Sequence, residues 1–193
     1  MPSPVGHAIA GATVAWVAEA VSDERRDRPP KGGRYALTIA CAALAMAPDL
    51  DLLAPFQHRT ATHSVVAVAL VLIMAIGVTG KVTGRVAWAA VIALTAAYAS
   101  HLFLDWLAED SLSPRGVQML WPLSSHWFIS EANLFRGTAR EDVFTLESLQ
   151  INALAIAQEI AILGPIAVGA WLVRVKALAR LPAQMPGRHH AAQ

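Results

Sequence analysis

The sequence predicts an all-α protein, a multi-pass membrane helical bundle of about five apolar helices with an extracytoplasmic cap region. Three observations carry that reading. The first is composition: of 193 residues, 55% are hydrophobic and only 15% charged, with a mean hydropathy of +0.46. Ordinary globular domains sit near 45–50% and about 25%. The second is a set of five long apolar stretches, and the third is the lopsided placement of Lys and Arg around them. The formal net charge of +1 offers no bulk attraction to nucleic acid, and the one cysteine, Cys41, excludes a disulfide scaffold. Within its apolar run Cys41 reads as a small buried hydrophobe.

The stretches run from Val5 to Val21, Tyr35 to Leu53, Ser64 to Gly80, Val86 to Leu107 and Ile151 to Val173. A membrane span needs about 20 mainly apolar residues. The last three meet or approach that length, while His7 interrupts the first and Asp49 and Asp51 interrupt the second. Gly164 and Pro165 would disfavour a soluble helix, but a membrane bundle can re-satisfy the freed backbone groups. The first stretch has no basic flank ahead of it and no clean small-residue cleavage site after it, so it is expected to stay in the mature protein. Residues 1–180 form one membrane-embedded helical domain, with 110–150 an external connection, and 181–193 are expected to be a disordered cytoplasmic tail.

The basic residues set the orientation. Arg25, Arg26, Arg28, Lys31 and Arg34 follow the first stretch, Lys81 and Arg85 follow the third, and Arg174, Lys176, Arg180 and Arg188 follow the fifth. Arg59, Arg115, Arg136 and Arg140 fall on the other side. The positive-inside rule then puts the carboxyl tail in the cytoplasm and the 110–150 connection outside a bacterial-type inner membrane.

That orientation gathers the intramembrane polar residues at one face. His7 begins the first helix, Asp49 and Asp51 end the second, His58, Arg59, Thr62 and His63 precede the third, and His101 and Asp105 close the fourth. Ionisable groups at membrane depth are costly and are retained for function. His101 and Asp105 are spaced i, i+4 and share a helical face, where both can ligate a metal or Asp105 can orient His101. Asp49 and Asp51 diverge in a regular helix, but an irregular chain after Pro48 would let both reach one cation. His58 and His63 add imidazoles, Arg59 a guanidinium suited to a phosphate oxygen, and Thr62 a candidate N-cap for the third helix. Histidines suit zinc, carboxylates and water suit magnesium or manganese, and a mixed His/Asp set suits a hydrolytic site of one or two ions, zinc first. His126 reads as a cap residue and Glu147 as a helix-start carboxylate. Glu159 lies deeper and needs a partner that the sequence does not name. The six tryptophans read as interface anchors or packing.

Gly6-His7, Ala47-Pro48-Asp49-Leu50-Asp51, His58-Arg59-Thr60-Ala61-Thr62-His63-Ser64, Ser100-His101 through Asp105, and Gly116 through Trp121-Pro122 together resemble the YdjM-like inner-membrane proteins, a family described as metal-dependent hydrolases. The resemblance covers about the first 125 residues. It implies a multi-pass helical protein distantly similar to zinc-dependent phospholipase C and the P1-type nucleases. Carried over, His7, Asp49, His63, His101 and Asp105 are metal ligands, and Asp51, His58 and Arg59 are ligands or substrate contacts. The tryptophan-initiated metal site of the secreted phospholipases has no counterpart in Met1-Pro2, so a cluster of fewer than three ions is expected.

The functional expectation is a membrane-bound hydrolase of phosphate esters or phospholipids that uses metal-activated water at the outer face, with membrane lipid as its partner. In that reading Arg59, Asp51 and His58 serve the chemistry. The alternative is a divalent-cation transporter or sensor using the same cluster. A transporter should carry polar ligands through the full membrane depth, whereas only Glu159 lies deep.

Overall fold

The computed structural model describes residues 1–22, 35–53, 57–111, 113–140 and 142–179. Five α-helices form the bundle: α1 (Pro4–Val21), α2 (Ala36–Met46), α3 (Val65–Thr83), α4 (Trp88–Leu107) and α5 (Leu146–Ala179). Each coincides with one of the expected apolar stretches, and no strand occurs among the described residues. The basic cluster of residues 25–34 and the tail from 180 onward lie outside the described residues.

Among the described residues, four helical stretches are long and apolar enough to cross a membrane: Ala36–Leu53, Val65–Thr83, Trp88–Leu107 and Leu146–Ala179. The outward side chains of α3 (Leu70, Leu72, Ile73, Met74, Val78 and Val82) are all exposed. An apolar face of that extent needs hydrocarbon rather than water around it. α1 is not among the four, since His7 and Glu19 dilute its apolar character. It buries a stripe of Gly6, His7, Ala10, Gly11 and Ala15 against the rest of the bundle.

Small residues let the helices close up, as membrane interfaces require when lipid supplies no hydrophobic drive. A Cβ on Gly11 would stand 2.4 Å from the Cys41 carbonyl oxygen and 2.7 Å from the Ala45 Cβ, so only glycine permits this crossing of α1 and α2. Ala15, Cys41, Ala93 and Ala97 form one buried cluster there. Ala10, Leu104, Ala108 and Phe135 form another where α1 and α4 meet the connection.

Two polar ties fix α1 against α5. Glu159, fully buried, accepts from the Ser3 backbone N–H at 2.6 Å and from the Ser3 hydroxyl. At the other end Arg174 pairs with Glu19. Both pairings advance in the same chain direction, so the two helices run parallel. Ser3 is also the N-cap of α1, and Glu159 thereby places a carboxylate at a helix N-terminus. This is the partner that Glu159 needs. The helix of α5 continues through Pro165, as a packed bundle allows.

The connection between α4 and α5 folds over one end as a cap. Bridges join Ala108 to Phe135 and Val117 to Phe128. The Gln118 amide donates to the Arg59 carbonyl at 2.9 Å, and the Val65 amide donates to the Met119 carbonyl at 2.9 Å. The cap therefore grips the loop that carries the histidines.

Candidate metal centre

Four separate segments deliver the cluster. α1 brings His7 in its first turn. After α2 the chain tightens into a 3₁₀ helix over Ala47–Leu53, which carries Asp49 and Asp51. A second 3₁₀ turn, Ala61–His63, positions His63 just before α3. α4 supplies His101 and Asp105 from one face. His7, His63, His101 and Asp105 are all sealed from solvent, and the Asp49 side chain is 17% exposed.

Four atoms converge. His63 Nε2 stands 3.0 Å from His101 Nε2, 3.4 Å from Asp105 Oδ2 and 3.6 Å from Asp49 Oδ1. His101 Nε2 stands 3.2 Å from the same Asp105 oxygen and 3.6 Å from the same Asp49 oxygen. Ligand atoms about 2.0–2.2 Å from a tetrahedral ion must lie roughly 3.3–3.6 Å from one another. Five of the six edges of that tetrahedron are therefore present, spanning 3.0 to 3.6 Å.

The proton inventory agrees. His101 Nδ1 lies 2.7 Å from the Ala45 carbonyl and must donate to it, which turns the Nε2 lone pair toward the cluster. Both Asp105 oxygens, Asp49 Oδ1 and both His7 nitrogens are buried without a hydrogen-bond partner. Carboxylate oxygens and imidazole nitrogens crowded together in the interior without hydrogen bonds are costly, and a cation between them would relieve that cost. The residues fit a divalent ion of the zinc type, bound through two imidazoles and two carboxylates.

His7 stacks on His101, with ring centroids 3.8 Å apart, and its Nε2 lies 3.5 Å from Asp105 Oδ1. It flanks the four converging atoms rather than completing their tetrahedron. Burial pushes the His63 imidazole down, but the carboxylates of Asp105, Asp49 and Asp51 around it outweigh that and hold its pKa up at about 10.

Asp51 and His58 occupy the other side of His63. Asp51 Oδ1 is 2.6 Å from His58 Nδ1, and Asp51 Oδ2 accepts from the Thr62 hydroxyl at 2.6 Å and from the Arg59 amide at 3.3 Å. Asp51, His58 and His63 also lie close enough together to be considered as ligands. Asp49 and Asp51 thus do not converge on one point. In a 3₁₀ helix with three residues per turn, positions two apart diverge, and here they clasp His63 from opposite sides.

Arg59 is buried in the left-handed region, with φ 68°, and its guanidinium pairs with Asp110, which also accepts from the Gly116 amide at 2.8 Å. The guanidinium that touches the cluster belongs to Arg140, whose Nη1 lies 2.6 Å from His58 Nε2. Sequence reasoning assigned Arg140 only to the outer charge count. The Thr62 cap expectation is corrected: Ser64 caps α3, its hydroxyl accepting from the Ala67 amide at 3.2 Å. The extra 3₁₀ turn moves the helix start and leaves Thr62 to Asp51. His126 sits exposed and edge-on to Phe128, and Glu147 is exposed.

Fold and site together define a multi-helical membrane protein with a buried His/Asp centre competent to hold a divalent ion. The chain belongs to the YdjM inner membrane protein family, whose model matches residues 1–175. No curated protein matches the chain, and no solved structure does.

Proposed function

We propose that the protein is a membrane-bound, metal-dependent hydrolase of phosphate esters, with phospholipids the favoured substrates. The observation that carries this reading is the tetrahedral spacing of Asp49, His63, His101 and Asp105, in which three members are sealed and the Asp49 side chain alone keeps some exposure. A fully closed four-ligand set serves structural ions, and catalysis needs an open position. Asp49 rides on a short 3₁₀ segment at the partly exposed edge, so it is the ligand able to make room for water. A divalent ion held there would acidify a coordinated water and polarise an ester oxygen.

The chain's own residues supply the rest. Ala45 fixes the tautomer of His101. The cap, through Gln118 and Met119, holds the 59–65 loop and limits access of bulk water. Arg59, committed to Asp110, contributes by anchoring that loop, since a direct phosphate contact would require its buried pair to part.

A lipid substrate is favoured by an apolar groove of about 770 Å³ between α1, α2 and α5, floored by Ala8, Ala12, Ala42 and Gly164 and walled by Trp16 and Trp171. From Pro4 to Trp16 it follows α1 for about 18 Å at 1.5 Å per residue. One leaflet of a roughly 30 Å hydrocarbon core is about 15 Å deep. In the membrane, the site faces outward and the tail inward, following the basic residues.

The test is hydrolysis of phosphodiesters and phospholipids by detergent-purified protein, abolished by chelator and restored by zinc or manganese. Protein that demonstrably holds its metal yet shows no chelator-sensitive hydrolysis of phosphate or acyl esters would shift the reading to a cation transporter or sensor.

A further inference from the structure

From the hydrogen-bond directions we infer that Arg140 anchors a one-way chain, Arg140–His58–Asp51–Thr62–His63, that fixes the tautomer of His63, and that the centre therefore holds one metal ion per chain. This rests on reading the cluster as a metal centre, and not on the hydrolysis assigned to it.

The argument starts from the residue with no choice. A guanidinium only donates. His58 Nε2, 2.6 Å from Arg140 Nη1, must therefore accept, and its proton resides on Nδ1. That Nδ1 donates to Asp51 Oδ1 at 2.6 Å. The other oxygen of Asp51 takes the single hydroxyl proton of Thr62, also at 2.6 Å. Thr62 Oγ1 can then only accept along its 2.9 Å contact with His63 Nδ1, so His63 carries its proton on Nδ1. The Nε2 lone pair is left for the ion, facing His101, Asp105 and Asp49.

The same directions remove the second ligand set from contention. With His58 Nε2 engaged by Arg140 and Nδ1 engaged by Asp51, neither nitrogen offers a lone pair to another ion. His63 Nδ1 is likewise committed, and both Asp51 oxygens are occupied by donors. Asp51, His58 and Arg140 are thus positioning residues. Imidazole ligands whose second nitrogen is held by such a partner lose roughly 10–100-fold in metal affinity when the partner is removed. The backbone supports the chain as well: Tyr98 donates to the Thr62 carbonyl at 2.7 Å, so the link rests against α4.

The experiment is zinc titration of the metal-free full-length protein in detergent, reading stoichiometry and affinity, with zinc alone as the probe. Wild type should bind one tight zinc per chain. Arg140→Gln and His58→Ala should each weaken that zinc by about 10–100-fold without changing the count. Arg140→Lys remains a pure donor and should recover much of the loss. The sharpest variant is His58→Gln, whose carbonyl can accept from residue 140 while its amide donates to Asp51. It should keep near-native affinity, although it removes the imidazole. Two tight zinc ions on wild type, with one lost in His58→Gln, would overturn the inference in favour of a second metal site. Unchanged zinc affinity in Arg140→Gln would overturn the chain itself, and neither result depends on whether an ester is cleaved.

Discussion

Asp105→Ala is the substitution from which the most can be worked out. Its Oδ2 approaches His63 and His101 at 3.4 and 3.2 Å, and its Oδ1 approaches His7 at 3.5 Å, so one carboxylate addresses every buried imidazole of the cluster. Structural zinc sites bind with about 10–16 kcal/mol, so one ligand of four carries on the order of 2.5–4 kcal/mol. At about 1.4 kcal/mol per decade, the Kd should rise roughly 10²–10³-fold. Zinc at 100 times the wild-type Kd stabilises the folded chain by about 2.7 kcal/mol, which for a protein of this length lifts the Tm by roughly 5–10 °C. At the same zinc concentration the variant should show a lift of at most about 1–2 °C. Thermal unfolding in detergent, with and without zinc and alongside elemental analysis, measures both quantities, and Asp105→Asn supplies a variant of native shape. A folded Asp105→Ala protein with the full zinc-dependent shift would refute the placement of the ion.

Four further outcomes are expected. A cation must displace the proton that His63 holds with a pKa of about 10, so competition titrations should show zinc affinity rising by at least about tenfold per pH unit between roughly pH 7 and 9. The sign for the metal-free protein is opposite: because the folded pKa is raised, stabilisation from charged His63 is complete below about 6.5 and lost as pH climbs through about 10. A flat affinity profile would contradict the proton competition. Arg59→Ala breaks a buried pair and should destabilise by about 3–5 kcal/mol, whereas lost turnover at an unchanged Tm would restore a direct phosphate role for Arg59. Gly11→Val drives a side chain into the Cys41 carbonyl and should lower stability by about 1–3 kcal/mol; an unaltered Tm would mean that α1 and α2 do not touch there. Ala12→Phe, in the floor of the groove, should slow hydrolysis of a long-chain lipid by about tenfold or more, the scale of two lost methylene contacts, and spare a short-chain soluble ester. Equal losses on both substrates would remove the groove from substrate binding.

The helices were legible because an apolar run declares itself through local composition alone, and all five lie where those runs do. The gathering of the polar residues was legible for a related reason: His101 and Asp105 share a face by periodicity, and the others fall at helix ends that the topology sends to one side. What the sequence withheld depended on distant partners. Arg140 meets His58 across 82 residues and Glu159 meets Ser3 across 156, with no local signal of either contact. The divergence of Asp49 and Asp51 and the shift of the α3 cap from Thr62 to Ser64 both turn on short 3₁₀ segments. Those segments hold few residues and have no periodic signature of their own.

The parallel pairing of α1 with α5 also sets a schedule for assembly. Its two ties join residues 156 and 155 positions apart, so the amino-terminal helix must wait for the final one. At about 5–20 residues per second of synthesis, that delay is roughly 8–30 s. During it Glu19 has no Arg174, the Ser3 end of α1 has no Glu159, and α1 has nothing parallel to lean on. His7 travels with that helix. The side of the centre that His7 covers, stacked on His101, is therefore among the last parts of the protein to close.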